Sequence, residues 1–139
     1  MYTDSAAYSG GVLAPNGDIH FVPNLADRGQ KISASGTVST YSLVYTASQA
    51  YLGGVLAPNG DIHFVPSAAN RGQKVSAAGV VSTYSLVYTT SNAYGGGVLS
   101  PDGSITFIPY SGNRGQRIQT CPAIPLGIDS CLSSYLNKF

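Results

Sequence analysis

The sequence predicts an all-β protein made of three repeated four-stranded units, and three observations carry that prediction. The phrase "GGVLAPNGDIHFVP" begins at Gly10, begins again letter for letter at Gly53, and has a diverged copy at Gly96. Short runs rich in β-branched and aromatic residues are punctuated by Pro, Asn and Gly, as strands and turns require. No apolar periodicity of 3.6 residues persists long enough to make a helix.

The repeat is a tandem duplication. Residues 10–52 and 53–95 share 34 of 43 positions, and residues 96–120 keep 13 of the 25 matching positions before the pattern ends. The opening "MYTDSAAYSGG" aligns with "VYTASQAYLGG" and "VYTTSNAYGGG", so the first residues fall in the frame of a repeat's closing phrase. One repeat domain is therefore expected over 1–139, with units at about 10–52, 53–95 and 96–120 and a non-repeat segment over 121–139.

Within a unit the elements follow in order. "GVLA" and "DIHFVP" are strands joined at Pro15-Asn16-Gly17, where proline presets φ for the turn and glycine takes its left-handed position. "RGQKIS" and "TVSTYSLVYT" are two more strands joined across Ala34-Ser35-Gly36. Along the fourth strand Val38, Thr40, Ser42 and Val44 share one face, and Ser39, Tyr41, Leu43 and Tyr45 the other. Neither face is charged, which predicts sheets packed between other sheets, not a sheet wetted on one side.

Four-stranded units of about 40–45 residues are the size of a propeller blade. The phrases "GGVLAPNGDIHFVP", "RGQK(I/V)SA" and "VSTYSLVYT" resemble blade-like repeats of marine phage and microbial proteins. That resemblance implies a propeller-type fold, with phage virion or fibre components among its bearers. Three blades fall short of the four to eight that close a propeller ring, so a homo-oligomer or larger assembly is expected. The alternative is a β-trefoil, which closes with three units in one chain.

Composition narrows the partners. Charged residues are 9% of the chain, with no Glu and no Trp, and the net charge is +1, against roughly a quarter charged in typical soluble proteins. Such a surface has no field with which to hold nucleic acid. No apolar stretch approaches the roughly twenty residues of a spanning helix, so membrane insertion is not expected. No basic-then-apolar signal pattern is seen, so the cytoplasm of the producing cell is expected, and the resemblance to phage repeats implies the virion as the other location.

Candidate site residues recur with the repeat. Asp18 and His20, and again Asp61 and His63, lie two apart on one strand face, a spacing open to metal or acid–base chemistry. Ser104 and Thr106 replace them in the third copy, which favours plain hydrogen bonding. The "RGQ" triplets hold Arg28 and Gln30, Arg71 and Gln73, and Arg114 and Gln116. Their glycine suggests a positive φ and their arginine a loop tie. The functional alternative is three equivalent pockets that bind a cell-surface glycan through Arg and Gln beside a tyrosine, gaining from avidity.

Of ten tyrosines, Tyr41, Tyr45, Tyr84 and Tyr88 are expected to fill the space between sheets. Tyr8, Tyr51 and Tyr94, before the glycine pairs, read as loop or subunit contacts. Both cysteines, Cys121 and Cys131, fall in the last segment. A disulfide between them would contribute roughly 2–3 kcal/mol; reduced thiols are the alternative. With no nucleophile motif, no phosphate loop and no cofactor motif, the sequence predicts a protein that is not an enzyme. It predicts a structural or assembly component, such as a phage decoration, fibre or adsorption subunit. A lectin-like carbohydrate-binding module is the alternative.

Overall fold

Three antiparallel sheets follow the three repeats in the computed structural model, which describes residues 5–120. The first contains β1 (Tyr8–Leu13), β2 (Ile19–Pro23), β3 (Arg28–Ile32) and β4 (Val38–Ser42). The second contains β5 (Tyr51–Leu56), β6 (Ile62–Pro66), β7 (Arg71–Val75) and β8 (Val81–Ser85). The third contains, among the described residues, β9 (Tyr94–Leu99), β10 (Ile105–Pro109) and β11 (Gln116–Ile118). Each repeat forms its own sheet with its strands paired in chain order. Strands β1, β5 and β9 lie beside one another from sheet to sheet. Meander sheets stacked on their first strands are propeller-type blades, and the trefoil alternative falls because, among the described residues, strands of different repeats do not pair.

Local chemistry explains the hairpins. At the first turn Ala14 N–H donates to Asp18 C=O at 2.7 Å and Gly17 N–H to Ala14 C=O at 3.0 Å. The Asn16 side chain accepts from Asp18 N–H at 3.0 Å. Gly17, Gly60 and Gly103 hold φ near 90° at this place in all three blades, which L side chains adopt only with strain.

The core lies between blades, not within them. Val22 and Ala14 of the first blade join Tyr51, Ile62, Phe64 and Val75 of the second in one cluster. Val55, Ala57 and Val65 of the second join Tyr94, Ile105 and Phe107 of the third in another. A strand central to this stack, β6, is buried along its whole length. The outer strand β4 ends at Ser42, short of the expected run. Leu43 and Tyr45 instead lie in the link to the next blade, packed on its core.

The blades approach closely because their first strands carry glycine. A Cβ on Gly54 would lie 2.5 Å from Val12 Cγ2, and one on Gly97 would lie 2.8 Å from Val55 Cγ2. Backbone bonds run the same way, Ala50 N–H to Asn24 C=O at 3.1 Å and Ala93 N–H to Ser67 C=O at 3.0 Å.

The glycine of "RGQ" serves a different purpose from the one expected. Gly29, Gly72 and Gly115 lie outside the positive-φ region. Gly29 and Gly72 face Tyr41 and Tyr84 across the strand pair. A Cβ there would sit 2.1 Å from the tyrosine ring, so the ring takes the space that a side chain would occupy. Gly72→Ala should therefore displace Tyr84 and cost about 1–3 kcal/mol, read as a lower urea midpoint. An unchanged midpoint would show that the ring moves aside freely.

Candidate functional site

One polar cluster sits on the second blade, facing the third. Asp61 immediately precedes β6, His63 lies on β6 opposite Lys74 of β7, and Tyr84 comes from β8. Lys74 Nζ donates to Asp61 Oδ2 at 2.7 Å. His63 Nδ1 and the Tyr84 hydroxyl are 3.1 Å apart, with the two rings 5.5 Å apart and tilted by 56°. Asp61, His63, Lys74 and Tyr84 line one side of a crevice of about 260 Å³, closed by Ile118, Gln119 and Thr120 of the third blade.

The first blade repeats the set. Lys31 meets Asp18 at 2.7 Å, and His20 Nδ1 meets the Tyr41 hydroxyl at 3.1 Å. Its crevice of about 220 Å³ is bounded by His20 and Lys31 and by the Ser76–Gly79 turn of the second blade. The hydrogen bond from Lys31 holds the Asp18 carboxyl below its ordinary pKa. The third blade keeps the ion pair by rewiring it. Its carboxylate moves to Asp102 in the turn, Ser104 takes the place of Asp18, and Arg117 bonds both.

Burial, then the nearby Lys74 charge, lowers the His63 pKa to about 4. His20 is lowered too, first by burial. His63 Nε2 is buried without a hydrogen-bond partner. Burial raises the Tyr41 and Tyr84 hydroxyls well above their ordinary values. At neutral pH the crevice thus presents an uncharged imidazole, an un-ionised phenol and an ion pair already joined. Such a set can hydrogen-bond a small polar molecule. Among the described residues no three His, Cys, Asp or Glu side chains gather as metal ligands. The Asp–His pair of the sequence thus divides, the carboxylate going to lysine and the imidazole to tyrosine. Lys31, Lys74 and Arg117 escaped notice there, although a cation thirteen residues after Asp18, Asp61 and Ser104 was visible.

The "RGQ" side chains part company. Gln73 Oε1 accepts from Val44 and Tyr45 N–H at 2.9 Å each, and its Nε2 donates to Tyr45 C=O at 3.2 Å. Gln116 Oε1 accepts from Val87 N–H at 3.0 Å and from the Tyr94 hydroxyl at 3.2 Å. Each thus fastens its blade to the link from the preceding one, and Gln30 is buried at the equivalent place. Arg28, Arg71 and Arg114 are exposed. Arg71 borders an open hollow of about 320 Å³ with Asn70, Ser85, Leu86 and Thr89.

Tyr51 and Tyr94 are fully buried, which corrects the expectation of loop contacts: they begin inner strands and pack on Phe64 and Phe107 at 5.7 Å. Tyr8, their counterpart on Phe21 at 5.6 Å, is only half-buried. Cys121 and Cys131, and the 121–139 segment with them, lie outside the described residues.

Neither a family model nor a curated protein sequence matches the chain. Among solved structures it is similar to a streptogramin B lyase, at 29% identity and a TM-score of 0.68, covering 79% of this chain and 36% of that one. It is also similar to a catalytically inactive virginiamycin B lyase from Staphylococcus aureus with quinupristin, at 24% identity and a TM-score of 0.70, covering 82% and 38%. The selenomethionine-substituted form of that lyase matches at 23% identity, with the same TM-score and coverage. The chain thus spans little more than a third of the length of these lyases. The expectation of a protein that is not an enzyme is corrected by these matches: the structures built of similar blades are enzymes.

The histidine shift sets a pH dependence. Unfolded His63 takes up a proton near pH 6.5, and the folded protein refuses it until about pH 4. Stability should therefore fall as pH drops from 6.5 to 4 and, for this group, level off below. The loss should be roughly 3–3.5 kcal/mol, measured by urea unfolding across that range. His63→Gln should flatten the slope; an equally steep slope in that variant would assign the effect elsewhere.

Proposed function

We propose that the chain is a structural and assembly component built of propeller blades, of the class of a phage virion decoration, fibre or adsorption subunit. One observation carries the reading: the repeated polar residues are spent on fastening. Gln73 and Gln116 hold the links between blades, while the Asp–Lys pairs and His–Tyr contacts hold strands within them. A chain with only 9% charged residues suits permanent incorporation into a larger body better than a free life in solution. The likeness of the fourteen-residue phrase to phage and microbial repeats supports the virion setting.

Density-gradient fractionation of material from the producing cell tests this. The chain should travel with intact particles in repeated, stoichiometric amount; recovery only at the top of the gradient would overturn the reading.

A second reading, a lectin-like module for a cell-surface glycan, draws on the polar hollow beside Arg71. Its hydrogen bonds would come from Arg71, Asn70, Ser85 and Thr89, because Gln73 is turned inward. Arg71→Ala should weaken glycan-array binding at least about tenfold while leaving the melting temperature unchanged. Silence of the unmodified protein across the array would remove this reading.

A further inference from the structure

The two ends of the blade stack carry the two halves of one interface. Inside the chain that interface occurs twice. Val12 and Val22 of the first blade close on Gly54 of the second, 2.5 and 3.3 Å from where a Cβ would stand. Val55 and Val65 of the second close in the same way on Gly97 of the third, at 2.8 and 3.1 Å.

The 43-residue frame gives the third blade the same pair, Val98 and Ile108, and gives the first blade the same notch, Gly11. Among the described residues neither is engaged. Val22 and Val65 are 0% exposed, whereas Ile108 is 45% and Val98 56% exposed. The three atoms nearest to a Cβ on Gly11 all belong to the first blade, to Ile19, His20 and Phe21. Around the notch the contrast repeats: Ile62 and Ile105 are at most 1% exposed, and Ile19 is 39%.

The main chain agrees with the side chains. The backbone bonds from Ala50 to Asn24 and from Ala93 to Ser67 step, by the same 43 residues, to Ala7 N–H and Tyr110 C=O. These lie at opposite ends of the stack. A surface that already recognises its like twice within one chain has the shape and chemistry to do so between chains. Charge does not oppose the contact, since the apolar pair and its notch carry none.

We infer that a second copy of this chain docks Val98 and Ile108 over the Gly11 notch of the first, and receives the reciprocal contact in return. The inference rests on the assembly reading above and names its partner. Two chains bring six blades, within the four to eight that close a propeller. A two-fold arrangement satisfies both ends at once, so that no apolar blade face remains bare.

Sedimentation velocity on the full chain tests the inference. The native mass should be twice 14.3 kDa, and Val98→Arg should raise the dissociation constant at least about a hundredfold with an unchanged far-UV spectrum. Gly11→Val attacks the opposite face and should do the same. That second variant decides the matter if the first proves misfolded. A wild-type protein of single-chain mass would overturn the inference, as would a dimer that survives both substitutions. An open ladder of ever larger species would overturn the closed pair while leaving the assembly reading intact. Absence from particles in the gradient experiment, with a dimer in solution, would do the reverse.

Discussion

The structure depends on one steric fact: a valine of each blade occupies the space that a side chain would need on the next blade's first strand. Gly54 receives Val12 and Gly97 receives Val55. Any side chain at the notch would hold the sheets apart and open the clusters around Tyr51 and Tyr94. Interiors are packed at crystal-like density, so a gap of even one methyl group loses contacts on both sides. A single blade has no core of its own. It becomes stable by being pressed against another, as in other repeat architectures whose stability is largely a sum over neighbour interfaces.

Polar residues make that contact specific. The links between blades have backbone N–H groups with no strand partner, and a buried unpaired donor is costly. Gln73 and Gln116 supply the acceptors, one side-chain amide for each link. The third blade shows how such a device tolerates change: its carboxylate moved two residues along the hairpin, from the place of Asp61 to Asp102, and a guanidinium followed it. What persisted was the ion pair, not the residue identities. The apparent wear of the third copy is thus partly a change of wiring with the same result.

Blades of this kind are generic frames. The lyases that share them are far longer than this chain, and the architecture alone assigns no chemistry. The crevices between blades place the uncharged His63 and the Tyr84 hydroxyl beside the end of the next sheet. Those groups are held by the same contacts that hold the sheets, so site and scaffold are one construction here.

The sequence by itself determined the local order: the 43-residue period, the Pro-Asn-Gly turns and the alternation of strands are all dictated by neighbours a few residues apart. It also pointed to stacked sheets, which holds for β6, buried along its whole length, but not for the fourth strand that suggested it, since β4 is largely exposed and Val44 is 62% exposed. What it could not reveal was which residue meets which across blades. Gln73 looked like a ligand-binding amide, yet it fastens a link twenty-eight residues earlier; Tyr51 looked like a loop residue, yet it is core. The glycine of "RGQ" looked like a turn, yet it makes room for a tyrosine ring. Tertiary structure decided these because the stacking partner of every residue lies a full repeat away, where packing between sheets, and not the preference of any short segment, sets the side chain's surroundings.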